Sequence, residues 1–171
     1  MRRRRKVLAA HDPGAAGRAA EHTDDLPGAV LHAAYHAVGS ELDPMPLLKR
    51  LAYQGYDLCL PVVVDLAGPM IFRRWWPGEP LEPDLAGVPA PLPLADAVTP
   101  ELILTPLLAF DARGGRLGQG GGYYDRTFAT LPDALRIGLA HDEQEVDHLP
   151  LQPHDIRLHG VLTGSGYRAF P

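Results

Sequence analysis

At 171 residues, 46% apolar and 22% charged, the chain is long enough to bury one sizeable core and too ordinary in composition to be disordered as a whole. Its formal net charge of -5 excludes a general attraction to nucleic acid, so any polyanion would have to be met locally. The lone cysteine, Cys59 between Leu58 and Leu60, excludes a disulfide framework and a cysteine-based zinc site; a small buried residue in a reducing cytoplasm is the expectation.

The N-terminal MRRRRK has the charge of a signal-peptide start, but His11 and Asp12 fall where an apolar core should run, so no export signal is expected. No apolar stretch is long enough to cross a bilayer, which predicts a soluble protein. The basic run is expected to be a solvated, frayed terminus within a divergent segment, residues 1–28. Ala15 to Glu21 suits a short helix, ended by the Pro27-Gly28 turn. AVLHAAYHAV (Ala29 to Val38) has the length and apolar density of a buried strand. GSELDP then opens a helix with Asp43 as cap and Pro44 at its first position, MPLLKRLAYQGY supplies that helix, and Gly55 closes it. Tyr56 to Val64 is a second strand, and strand, helix, strand in one short span is the unit of a parallel α/β sheet.

PMIFRRW reads as an edge strand, because Pro69 precedes it and charged and apolar residues mix within it. The proline-rich stretch from Pro77 to Pro100 reads as an ordered surface loop without regular structure. Glu101 to Phe110 (ELILTPLLAF) reads as a buried strand, YYDRTFATL as the first turns of a helix, and strands are expected at Leu135 to His141 and around Arg157 to Leu162. No internal repeat is visible, and residues 1–171 are expected to form a single domain.

Between that strand and that helix lies RGGRLGQGGGYYDR, Arg113 to Arg126. Gly118, Gly120, Gly121 and Gly122 lack β-carbons, so consecutive amides can approach a phosphate closely, while Arg116 and Arg126 bracket the run with fixed positive charge. Asp125 adds a carboxylate able to hold magnesium beside the same phosphates. A glycine cluster alone is more often a flexible turn, and this one is neither a Walker loop nor the dinucleotide fingerprint. Two arginines, two tyrosines and an aspartate at one turn-to-helix junction favour the anion site.

PLLAFDARGGRLGQGGGYYDR resembles the signature of the 5-formyltetrahydrofolate cyclo-ligase family, also called methenyltetrahydrofolate synthetases. GSELD at Gly39, LPVV at Leu60, MIFRRW at Met70, PGEPL at Pro77, IGLAHDEQ at Ile137, LPLQPHD at Leu149 and LTGSG at Leu162 follow the order that family shows. The resemblance covers about Tyr35 to Gly166. It implies an α/β three-layer sandwich with a mostly parallel central sheet, of the NagB-RpiA-CoA-transferase-like kind. It also implies an enzyme that uses ATP and Mg2+ to close 5-formyltetrahydrofolate into 5,10-methenyltetrahydrofolate, releasing ADP and phosphate. Such an enzyme would be a cytoplasmic monomer with small-molecule partners only, and with no nucleic acid or membrane.

Carried over by residue, the resemblance places Arg116, Leu117, Gly118, Gln119, Gly120, Gly121, Gly122, Tyr123 and Tyr124 around the ATP phosphates. Gln119 to Tyr123 also face the folate, together with Val38, Glu41 and Asp43. Arg116, Tyr123 and Asp125 would be catalytic, and Asp125 and Asp155 would hold magnesium. Helix capping explains Asp43 locally, and a loop cap explains Asp155. Phe72, Trp75 and Trp76 could stack a flat ring, although core packing is the commoner fate of such residues. His141, His148, His154 and His159 read as loop or surface residues. The family's usual long first helix, whose lysine and arginine grip phosphate, is cut short here by Pro13 and Gly14, with Lys6 or Arg5 as stand-ins. Ala90, Gln152 and Gly164 replace usual acidic positions. Two readings follow: an active cyclo-ligase, which is favoured, or a relative that binds folate or nucleotide without turnover.

Overall fold

The computed structural model describes residues 1–171. Helices α1 (Arg2–His11) and α2 (Ala15–Glu21) come first, followed by β1 (Leu31–Ala33), α3 (Met45–Tyr53), β2 (Asp57–Val62) and β3 (Ile71–Arg74). The short strands β4 (Leu81–Pro83), β5 (Pro89–Pro91) and β6 (Ala97–Val98) precede β7 (Leu102–Pro106), β8 (Ala109–Asp111), β9 (Arg116–Leu117) and α4 (Tyr123–Thr130). The chain then forms β10 (Leu135–Leu139), β11 (Glu145–Val146), β12 (Gly160–Thr163) and β13 (Gly166–Ala169).

Eight strands make the main sheet, in the order β13-β12-β10-β7-β1-β2-β3-β6. From β12 to β2 every neighbouring pair is parallel, and the antiparallel β13 and β3 flank that centre. Side chains alternate across a strand, so each central strand feeds two cores. Leu58, Leu60, Leu102, Leu104, Ile137 and Leu139 pack on one face with Ala19 of α2 and Leu47, Leu48 and Leu51 of α3. Their neighbours Cys59 and Ile103 point the other way, onto Phe128 of α4. Helices thus cover both faces, giving the three-layer α/β sandwich. No helix is long and apolar enough to cross a membrane.

Several elements depart from the sequence reading. Of Ala29 to Val38 only Leu31–Ala33 is strand; the chain then leaves the sheet and turns through Gly39 at φ 65°. Glu101 to Phe110 is two strands: β7 lies in the main sheet, whereas β8 joins β9 and β11 in a small second one. Pro106, with no N–H to donate, stands where the first ladder stops. The proline-rich stretch does form ladders, β4 with β5 and β6 with β3, so β3 is not the outermost strand. Prolines are tolerated there because short edge pairings leave some backbone donors unused. Asp43 does not itself cap α3, since Pro44 is the N-cap residue, but its Oδ1 accepts the Met45 amide at 3.0 Å. The N-terminus is not frayed: α1 is a regular helix with Arg5 buried.

Candidate active site

Strands β1 and β2 lie on one side of β7 and β10 and β12 on the other, so connections diverge between β1 and β7. In an open α/β sheet the crevice beyond the carboxyl ends of such strands is where ligands bind. A cleft of about 620 Å³ opens there, reached by Tyr35 and His36 just past β1 and by Pro106 at the end of β7.

One wall is the glycine loop. Asp111, 1% exposed, accepts hydrogen bonds from the amides of Arg113 at 3.0 Å, Gly115 at 2.9 Å and Leu149 at 3.0 Å, fixing the β8–β9 turn and tying the Leu149 segment to it. Burial opposes ionisation of Asp111, yet the amides outweigh it and hold the carboxyl below its usual range. The loop leaves β9, passes Gly120 at φ 96° and enters α4 through Gly122 at φ 66°, a left-handed cap suited to glycine. The first residues of α4, Tyr123 to Asp125, thus line the cleft at the positive end of the helix dipole.

The two bracketing arginines are not equivalent. Arg116 packs against the adjacent rings of Tyr124 and Phe128, at 5.8 and 5.5 Å from their centroids, and its Nη2 is 2.7 Å from Asp125 Oδ1. Its side chain is 5% exposed and its Nε has no protein partner. Arg126 instead donates to the carbonyls of Gly68 at 3.0 Å and Gly121 at 2.9 Å and stacks on Tyr123 at 4.9 Å. It braces the loop from behind rather than offering a free charge to an anion.

The opposite wall centres on Glu41. Its Oε2 accepts the Val38 amide at 2.9 Å and its Oε1 accepts Gln119 Nε2, from the glycine loop, at 2.8 Å. Tyr35 donates to the Leu42 carbonyl at 2.5 Å. Burial, and then the Glu41 charge, raise the hydroxyl pKa values of both Tyr35 and Tyr124, so these rings stay neutral. The cleft floor is apolar, with Pro61, Val63 and Met70, and Asp84 holds the adjoining β4–β5 hairpin by accepting the Val63, Ala86 and Val88 amides.

The structure brings together on this cleft Val38, Glu41, the run Arg116 to Asp125 and Asp155. Asp43 is exposed and outside the lining, engaged with Met45. Phe72 and Trp75 are buried in the cores, Trp75 Nε1 donating to the Glu79 carbonyl, and Trp76 is off the cleft, so stacking on these rings is not supported. His141 is no surface residue: it is 2% exposed, and burial pushes its pKa down. His154 lines the cleft, His148 stays exposed, and His159 Nδ1 accepts the Arg136 amide. Tyr35, His36, Asp84 and the apolar floor were missed by sequence reasoning; the signal available for the first two was their position directly after a central parallel strand.

No group of three or more histidine, cysteine, aspartate or glutamate side chains forms a metal cage. Asp125 Oδ1 is taken by Arg116 and by the Ile156 amide at 3.2 Å, and Asp155 Oδ2 accepts the Gln152 amide at 2.6 Å, which leaves one oxygen of each carboxylate. Two such oxygens fit magnesium that arrives on phosphates, since that ion commonly takes only one or two carboxylates beside phosphate and water.

Fold and loop together define the class: an α/β protein with a glycine-rich loop at the carboxyl edge of a mostly parallel sheet. The family model of the 5-formyltetrahydrofolate cyclo-ligase family matches residues 1–164, and the chain belongs to that family. It is 36% identical over 147 residues to the 5-formyltetrahydrofolate cyclo-ligase of Escherichia coli K12, covering 78% of this chain and 77% of the relative. The enzyme of that name from Haemophilus influenzae is 32% identical over 139 residues, 77% of this chain and 74% of its own. Among solved structures, the 5,10-methenyltetrahydrofolate synthetase of Aquifex aeolicus superposes with a TM-score of 0.74 at 26% identity, covering 90% of this chain and 80% of that one. The Mycoplasma pneumoniae synthetase matches in fold with a TM-score of 0.73 at 20% identity, over 95% and 93% of the two chains.

Proposed function

We propose that this chain closes 5-formyltetrahydrofolate to 5,10-methenyltetrahydrofolate with consumption of ATP and Mg2+, as a cytoplasmic monomer of one domain. The observation that carries the reading is a single cleft with an anion-binding glycine loop on one wall and a buried carboxylate, Glu41, on the other, 2.8 Å from the loop's Gln119. Family membership supports the activity, and the buried free thiol of Cys59 suits a reducing compartment.

A formamide oxygen is a poor leaving group. Transfer of the ATP γ-phosphoryl group to it makes one that departs when the neighbouring folate nitrogen attacks the formyl carbon, and the dehydration becomes downhill. For such a transfer the protein supplies mainly position and charge. The amides of Gly118 to Gly122 cradle the phosphates, and Arg116, with its unpartnered Nε, neutralises charge as it develops. Glu41 accepts hydrogen bonds from the donor edge of the pterin, and Tyr123 and Tyr124 border the meeting point of the two ligands. Asp125 and Asp155 would hold magnesium, which would supply positive charge to offset that of the phosphates. The apolar floor of Pro61, Val63 and Met70 excludes water from the activated formyl group.

The test is direct. Purified protein with ATP, magnesium and 5-formyltetrahydrofolate develops the near-ultraviolet absorbance of the methenyl product; calorimetric folate binding without that absorbance identifies a binding protein instead.

A further inference from the structure

Helix α1 delivers one charge to the interior. Arg5 is 4% exposed; its Nε donates to Ser40 Oγ at 3.2 Å, and its Nη1 donates to the Leu107 carbonyl at 3.3 Å and lies 3.6 Å from Glu41 Oε1. One guanidinium thus holds two consecutive residues of the Gly39–Asp43 segment. A buried cation needs a compensating charge, and the Glu41 side chain, itself 7% exposed, supplies it. The same Oε1 accepts Gln119, whose carbonyl is in turn held by Arg2 Nη2 at 2.8 Å, one turn before Arg5. Arg5 does not line the cleft.

We propose that Arg5 is a positioning residue: by pairing with Glu41 behind the cleft wall it fixes the carboxylate that receives the folate, and it acts on folate binding rather than on the ATP phosphates. This rests on the reading of Glu41 as a folate contact. The geometry makes the role specific. Glu41 is reached by Arg5, by Gln119 and by the Val38 amide, so its rotamer is set before a ligand arrives, and a pterin meets a preorganised acceptor. A phosphate ligand would have to face the cleft, whereas this guanidinium is turned onto Ser40, the Leu107 carbonyl and Glu41.

A double-mutant cycle separates this from a mere packing role. Arg5→Met, Glu41→Gln and the double variant of the full chain are compared for calorimetric binding of 5-formyltetrahydrofolate, for binding of ATP with magnesium, and for thermal denaturation without ligand. Arg5→Met is expected to weaken folate on the order of tenfold in the unaltered background and hardly at all beside Glu41→Gln, with ATP affinity unchanged. Losses that simply add, or a fall in ATP affinity with folate unaffected, overturn it. Should Arg5→Met fail to fold, Arg5→Lys serves: it keeps the charge and loses the fork, and is expected to retain an intermediate folate affinity that again vanishes as an effect in the Glu41→Gln background. If the unaltered protein takes no folate, the functional reading falls and this role with it, while the melting cycle still reports whether the pair forms. If it takes folate and the losses add, the inference alone falls.

Discussion

Replacing Gly122 by alanine isolates what the loop backbone contributes. At φ 66° and ψ 7° the residue sits in the left-handed region, where a β-carbon costs about 1–2 kcal/mol. That β-carbon would also lie 2.7 Å from Arg126 Nη1, which donates to the Gly121 carbonyl at 2.9 Å. The guanidinium must shift, and a hydrogen bond from a charged donor is worth about 1.5–3 kcal/mol. Because the contact is with the end of a flexible side chain, part of this is recovered by relocation, and a net loss of roughly 2–3 kcal/mol is expected, or about 4–12 °C in Tm for a domain of this size. Gly120→Ala is the control: at φ 96° its β-carbon would meet nothing within 4 Å, so only the conformational cost of about 1–2 kcal/mol applies. Thermal melts rank the two, and initial rates at varied ATP should show KM for ATP raised more than KM for folate in Gly122→Ala. A Gly122→Ala protein that melts like the unaltered one, or a Gly120→Ala protein damaged as badly, would refute the reasoning.

Other perturbations test other parts of the cleft. Glu41→Gln should raise KM for folate with little effect on KM for ATP; steady-state rates against each substrate in turn decide it. Asp125→Asn leaves the Arg116 cation without its counter-charge, so a stability loss near the lower end of about 3–5 kcal/mol is expected because Asp125 is partly exposed; urea denaturation reads it, and the rate should also lose its magnesium dependence. Burial pushes the Cys59 thiol up to about 12, so folded protein at neutral pH should resist iodoacetamide and react once unfolded, as mass spectrometry would show. Burial lowers the His141 pKa from 6.5, so the folded state favours the neutral ring: its contribution to stability is complete above that pH and is lost as pH falls below it. The fall in Tm on acidification should therefore be shallower in His141→Leu, and only partly so because His32 and His159 are shifted the same way, each chiefly by burial.

The sheet and its helices were legible because their signals are local. Leu58, Leu60, Leu102 and Leu104 alternate with Cys59 and Ile103 in short apolar runs between turn residues, and that pattern specifies a strand buried on both faces wherever it occurs. Strand ends were less so. Nothing in Ala29 to Val38 marks Ala33 as the last strand residue, because Ala34 and Tyr35 are as apolar as what precedes them; the departure shows only in the fold, where Tyr35, His36, Val38 and Glu41 line the cleft. The break after Pro106 likewise depends on which sheet each half finds.

The glycine loop could be read from sequence because an anion cradle needs residues of one kind in one place. The role of α1 could not. Four arginines and a lysine in a row look solvated, and three of the four, Arg2, Arg3 and Arg4, are exposed. Arg5 differs only in its surroundings: Ser40, Glu41 and Leu107 lie 35 to 102 positions away in sequence, and it is their carbonyl, hydroxyl and carboxylate that make burial of a cation tolerable. Asp125 shows the converse. Local pattern marks it as a free carboxylate beside phosphate, yet tertiary structure gives one of its oxygens to Arg116 and Ile156. Charge type is written in the sequence, whereas the partner that decides what a charge does is a property of the fold, and the cleft depends on that second kind of information at both its walls.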